Sequence, residues 1–306
     1  MKIIAPLASL VLLACAAPRA DTPPLASDAQ IDAAEHAPLA QMAIDGRWNE
    51  PFPPFKVIGN IYYVGMAADS SWLITTPHGH ILIDGSVPQS PPQIIANIRA
   101  LGFDIRDVKY LLNSHAHFDH AGGLAALQRA SGAQVLASAA DKPTLEAGRI
   151  NYGPTADIPF PPIRVDRVIG EGDTVRLGGV TLRAIMTPGH TAGCTSWGMD
   201  VRGDDGALHH VFFDCSQTTG GQSLAPESYP GMVAAYRATF ARIRTIHADV
   251  FLAPHGNFFD LTARRDRQIA GDANAFVDVN ALQRFNDDME RQFNDELARQ
   301  QAARPH

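Results

Sequence analysis

The sequence predicts an α/β fold, an αββα sandwich in which two mixed β-sheets lie face to face with helices outside. Two observations carry this. β-Branched and aromatic runs, punctuated by Gly, Pro and Asp, occur in two sets along the chain. Helical patterns follow each set, so the chain reads as two similar strand-then-helix halves. Composition agrees: 306 residues, 45% hydrophobic and 19% charged, suit a folded chain of one large domain or two fused smaller ones. The formal net charge of −7 leaves no basic footprint, which excludes nucleic acid as an expected partner.

At the start, Lys2 precedes the apolar run IIAPLASLVLLACAA. A short charged head, an apolar stretch and small residues after it have the shape of a secretory signal peptide over residues 1–20. The run is too short to cross a bilayer comfortably. Leu12-Leu13-Ala14-Cys15 resembles a bacterial lipobox, in which the cysteine carries a lipid anchor; plain cleavage near Ala17 or Ala20 is the alternative. Residues 21–47 show no sustained period and read as a linker and N-terminal arm, leaving 48–306 as one catalytic domain. Export implies an oxidising compartment. There Cys194 and Cys215 read as a disulfide, with buried free thiols or a thiolate metal ligand as the other readings.

Trp48 to Phe55, WNEPFPPF, cannot be regular helix or central strand, because proline lacks the N–H and blocks the ladder. It reads as an apolar strap, with Trp48 near the rim of a site. VIGNIYYVG, SWLITTPHGHILIDG and VKYLLNS read as strands of the first set, and PPQIIANIRALGF as a helix opened by Pro and closed by Gly. AQVLAS, DTVRLGGVTLRAIMTPGH, TSWGMDV and HHVFFDCS supply strands of the second set. YPGMVAAYRATFARIRTI is a helix, DVFLAPH a short strand, and NAFVDVNALQRFNDDMERQFNDELARQ an amphipathic terminal helix. Asn151 to Ile169 is Pro-rich and aperiodic, and reads as a long loop.

Asn113 to Gly123, NSHAHFDHAGG, joins a buried strand to a helix and packs three histidines and an aspartate into six residues. In open α/β architectures ligands bind at this strand edge. His115 and His117, two apart, point the same way from an extended segment, while Asp119 and His120 lie past the bend. One loop can therefore feed two metal ions. Imidazole nitrogen and carboxylate oxygen suit Zn²⁺. Two ions need distal ligands, and His190 after AIMTPG and His255 in DVFLAPHG both sit at strand ends. The other histidines lack that context: His78 and His80 flank a hairpin glycine and read as exposed, His209 and His210 as surface residues, and His36, His247 and His306 as unrelated.

HAHFDH, TPGHTAG and APHG occur in the order and spacing of the metallo-β-lactamase superfamily, and the resemblance spans residues 48–300. WNEPFPPFKVIGNIYYVG, PGHTAGCTSW and CSQTTGGQSLAPESYPG resemble the third subclass of class B β-lactamases. The resemblance implies a monomeric periplasmic zinc enzyme. Its small-molecule substrates would be carbapenems, cephalosporins and penicillins, opened by metal-activated hydroxide without a covalent intermediate. It assigns His115, His117 and His190 to one zinc, and Asp119, His120 and His255 to a second, with Asp119 also orienting the nucleophile. By the same resemblance, Ser216 and Thr218 bind substrate, Trp48 and Phe160 wall it, and Cys194 bonds Cys215. Shifting the alignment makes Cys215 a thiolate ligand, or Asp214 the bridging carboxylate of lactonases and glyoxalase II. The lactonase reading wants a tyrosine soon after that aspartate, where this chain has Gln217. A lactonase or a non-catalytic zinc-binding protein are the alternative functions.

Overall fold

The computed structural model describes residues 23–204 and 206–303. The signal-like run with Cys15, and His306, lie outside the described residues. The first sheet begins as an antiparallel meander of β1 (Phe55–Ile58), β2 (Ile61–Tyr63), β3 (Trp72–Thr76) and β4 (Gly79–Ile83). It continues in parallel through β5 (Val108–Leu112), β6 (Gln134–Ser138) and β7 (Arg167–Ile169). The second sheet has the order β12-β11-β10-β9-β8. Its strands β8 (Thr174–Leu177), β9 (Val180–Met186), β10 (Thr195–Arg202) and β11 (Leu208–Phe213) are antiparallel, and β12 (Val250–Leu252) runs parallel to β11. Both sheets are mixed, as the sequence predicts.

Alternation along the strands divides the core. Trp72, Ile74, Ile81, Ile83, Leu112 and Leu136 join the cluster that includes the second sheet. Their neighbours Leu73, Leu82, Leu111 and Val135 face the opposite way, onto Ile94, Ile98, Leu124 and Leu127. Those last residues belong to α3 (Pro91–Ala100) and α5 (Leu124–Ser131). Pro91 opens α3, where its missing N–H costs nothing, and Gly132 closes α5 at φ 70°. Both faces of this sheet are therefore covered, and each fully buried Leu or Ile contributes about 1.5–3 kcal/mol. On the far side of the second sheet, α7 (Met232–Ile243) packs against α9 (Ala281–Ala302) through Tyr236, Phe240 and Phe293. α9 buries Phe285, Met289, Phe293 and Leu297 on one stripe, one turn apart. Among the described residues no helix is long and apolar enough to cross a membrane.

Three expectations are corrected. The 21–47 segment is not an irregular linker: it contains α1 (Asp28–Glu35) and α2 (Gln41–Asp45), and Ala26 and Ala43 are buried in the first-sheet core. α1 fully buries none of its residues, so it shows no apolar period. Its readable signal is the capping box between Ser27 and Gln30. The loop expected through Ile169 ends in β7, whose main chain extends the parallel edge beside β6. His80 is not exposed: β4 turns it inward, edge-on to Phe103 at 5.0 Å, and burial lowers its pKa. His78, in the turn itself, is exposed as expected.

Candidate metal centre

Strand ends from both sheets converge on one edge. The chain leaves β5 at Leu112 and bends through Ser114 and Ala116 to His117, which holds the N-cap position of α4 (Phe118–Ala121) at φ −87°, ψ 154°. His115 and His117, before the helical turn, fall in one cluster, and Asp119 and His120, within it, fall in another. Gly122 and Gly123 follow. A β-carbon on Gly122 would collide with the Phe118 carbonyl, and one on Gly123 with the Gly85 carbonyl, so only glycine lets the α5 start press against the loop after β4. His190 comes from the loop after β9 and His255 from the segment after β12.

His115, His117 and His190 form one cluster that can hold a metal ion, with ring centroids 4.6–4.9 Å apart. His117 Nδ1 lies 2.9 Å from His190 Nε2, while His190 Nδ1 is 2.9 Å from the Thr218 carbonyl oxygen. That carbonyl fixes the ring and leaves Nε2 pointing into the cluster. Burial is the main force on all three: it holds His115 and His117 well below the usual imidazole value and lowers His190 to about 4. The three rings are neutral, with lone pairs converging, the state a metal ligand requires.

Asp119, His120 and His255 form the adjacent cluster, joined by a residue the sequence reading missed, Asp69. Asp119 Oδ2 lies 3.3 Å from His120 Nε2 and 3.5 Å from His255 Nε2. Behind the same rings, Asp69 Oδ1 lies 3.5 Å from His120 Nδ1 and 3.6 Å from His255 Nδ1. Burial opposes charge on His120, but Asp119, Asp69 and Asp84 outweigh it and push its pKa up to about 10. Burial likewise works against the Asp119 anion, and the neighbouring histidines overcome it, holding its carboxyl below the usual range. His255, where burial and His120 act together, falls to about 3. Asp69 sits in AADSSW, which has no ligand-like spacing. Only the turn between β2 and β3 brings it here, through a bridge between Asp69 and His255.

The donor set fits zinc on an observation of its own. His115 Nε2, in the three-histidine cluster, is buried without a hydrogen-bond partner, and a buried polar atom left unpaired is costly. A cation held in that cluster removes the cost. The two clusters adjoin, His115 and His120 being 4.3 Å apart by ring centroid. Both reach a cleft of about 830 Å³ whose walls include Trp48, Thr155, Thr218, Asn257 and Phe258.

The remaining expected site residues divide. Trp48 stands 5.3 Å from the His255 ring and lines the cleft, and Thr218 lines it too. Ser216 does not: it is buried, with its hydroxyl 3.3 Å from that of Thr218. Phe160 does not either. The Phe160 N–H donates to the Gly148 carbonyl, which ties this part of the loop to the end of α6 (Lys142–Ala147) and turns the ring into the first-sheet core. Pro154 and Thr155, earlier in the loop, reach the cleft instead. Cys194 and Cys215 are joined as a disulfide with Cα atoms 5.7 Å apart. Their sulfurs lie beside His115 but are consumed in that bond, so neither is a thiolate ligand. Asp214 accepts from Gln217 Nε2 at 3.1 Å and belongs to neither cluster.

The profile of the metallo-β-lactamase superfamily matches residues 66–203. Among solved structures, BJP-1, a subclass B3 metallo-β-lactamase of Bradyrhizobium japonicum, is 42% identical with a TM-score of 0.81, over 85% of this chain and 99% of that one. FEZ-1 of Legionella gormanii is 34% identical with a TM-score of 0.79, over 83% and 98%. Among curated proteins, a hydroxyacylglutathione hydrolase of Rhodospirillum rubrum is 31% identical over 106 residues, 35% of this chain. The chain spans only 34% of that relative's length. Likeness across the full length of the solved enzymes, with both histidine clusters in place, leads to one conclusion: the chain belongs to the metallo-β-lactamase superfamily.

Proposed function

We propose that the protein is a zinc-dependent β-lactamase that hydrolyses the amide bond of β-lactam antibiotics, carbapenems, cephalosporins and penicillins among them. It acts as a monomer in the periplasm after export. The observation that carries the reading is the pair of adjacent clusters at one cleft, in a chain of which 85% is alike to nearly the whole of a subclass B3 enzyme. His115, His117 and His190 would hold one zinc ion, and Asp119, His120 and His255 a second. Bound there, zinc supplies Lewis acidity and makes water ionisable near neutral pH. The chain's own groups do the rest. Asp119 is ionised and faces the reaction zone, so it accepts a hydrogen bond from the attacking water and holds its orientation. The Thr218 hydroxyl would donate to the substrate carboxylate, a role supported by its position in the cleft wall, and Trp48 and Phe258 would give apolar walls that exclude bulk water.

A second reading, thioester hydrolysis, is favoured by the names of the curated relatives. Two observations weigh against it. Asp214, the residue available to bridge metals in that class, is turned to Gln217. The described lining of the cleft contains no Lys or Arg to receive an anionic tripeptide thioester. The test is hydrolysis of imipenem, nitrocefin, a hydroxyacylglutathione and an acyl-homoserine lactone by zinc-loaded protein, with and without chelator. Chelator-sensitive opening of the lactams is expected. Turnover of thioester or lactone without either lactam replaces the reading, and stoichiometric zinc with no turnover makes the protein a zinc carrier.

A further inference from the structure

Asp141 precedes α6 at its N-cap position, where an aspartate ordinarily caps the helix with its own side chain. Here the side chain makes no such cap. It is buried, and its two oxygens are spent on two other segments. Oδ2 accepts the Ala116 N–H at 3.0 Å and the Thr191 hydroxyl at 3.1 Å, and Oδ1 accepts the Gly193 N–H at 3.1 Å. Ala116 lies between His115 and His117, and Thr191 follows His190 directly. We propose that Asp141 is a positioning residue for the three-histidine cluster, its carboxylate joining the loop after β5 to the loop after β9 so that three imidazoles from two sheets converge.

The argument is one of satisfaction and reach. Both loops are buried, so their N–H groups need acceptors. One carboxylate is the smallest group that can accept from three donors on two segments at once. Burial pushes Asp141 up to about 6 against these bonds, so near pH 7 it is charged and the bonds are charge-assisted. The approach is specific to glycine at 193: a β-carbon there would collide with the Asp141 carboxyl and the Ser138 hydroxyl. The adjacent cluster has no such tie to Asp141. Its histidines are backed by Asp69 and by the Ala68 carbonyl, 3.3 Å from His255 Nδ1. Loss of Asp141 therefore loosens one half of the centre selectively.

This inference rests on the reading that the clusters hold metal, so its test has a metal-independent arm. Purified protein labelled with ¹⁵N-histidine is titrated with zinc, and signals of His115, His117 and His190 are followed apart from those of His120 and His255. Asp141→Ala is expected to weaken zinc at the three-histidine cluster about tenfold or more, the range seen when groups behind metal ligands are lost. Asp141→Asn, which keeps one accepting oxygen, falls between it and the parent. Gly193→Ala, which displaces the carboxylate, repeats the selective loss. Asp166→Ala is the control: it removes an inward carboxylate that accepts the Val135 N–H, far in sequence from both loops. In metal-free protein, amide exchange at Ala116 and Gly193 accelerates in Asp141→Ala and not in the control. Equal weakening at both clusters overturns the proposal. So does unchanged zinc affinity, or unchanged exchange at the two amides. A parent protein that binds no zinc overturns the metal reading instead, and the exchange arm then decides Asp141 alone.

Discussion

The two clusters share one loop, NSHAHFDHAGG, yet differ in electrostatic character. His115, His117 and His190 form a group with no carboxylate in it, and burial first, then the neighbouring histidines, lowers the pKa of each. Asp119, His120 and His255 share their space with Asp69, and in the absence of metal the ionised Asp119 carboxylate is first among the groups that hold a proton on His120. One half is a set of converging lone pairs, the other an internal ion pair that a metal ion displaces. The difference shows that a ligand's chemistry comes from what surrounds it, since His117 and His120 are three residues apart in the chain.

The comparison can be broken most sharply by altering one ligand of each cluster. His190→Ala removes a neutral ligand supplied by the second sheet, and lactam hydrolysis is expected to fall on the order of 1,000-fold, several kcal/mol of transition-state stabilisation. Added zinc at millimolar concentration restoring full activity counts against a ligand role. Asp119→Asn is next. It keeps shape but loses the anion that orients the nucleophile, so kcat should fall about 100-fold or more. The zinc-loaded Tm should move by only a few degrees, and an unfolded variant contradicts this. Trp48 and Phe160 give a smaller contrast. Trp48→Ala should raise KM severalfold through the lost wall beside His255. Phe160→Ala should leave KM alone and cost about 3–5 kcal/mol of stability, as for any buried ring. Denaturant titrations and steady-state kinetics on the pair separate the roles.

The smallest effect is in pH, on metal-free protein. His120 has its folded pKa raised, so its contribution to stability is complete below the unfolded value and is lost as pH rises through about 10. His190 has its folded pKa depressed to about 4, so its neutral form gains stability as pH rises from there toward the unfolded value. His120→Gln should therefore cost most at acid and neutral pH, and the cost should shrink in alkali. His190→Gln should flatten the acid limb of the stability profile. Parallel profiles for the two variants would erase the electrostatic distinction.

Much of this was open to sequence reading because its signals are local. Strand runs, the glycine pair after the ligand loop and the Pro-Gly-His and Pro-His-Gly strand ends each depend on a few neighbouring residues. Three features escaped because their signals are not local. α1 shows no apolar stripe because none of its residues is fully buried. Phe160 looked like a wall residue, but the Gly148 carbonyl twelve positions earlier decides its direction. Asp141 has the sequence context of an ordinary helix cap, and its acceptor role exists only once two loops from different sheets lie beside it.

By itself the sequence determined which residue types stand at the strand ends, and hence that metal chemistry is available. It did so because ligand identity and strand termination are written in adjacent residues. Tertiary structure alone decided which carboxylates stand behind the ligands and that Ser216 and Phe160 turn away from the cleft. Those outcomes depend on distances between segments more than 70 residues apart, as between Ala116 and His190 or His255, and such distances exist only when both sheets have packed.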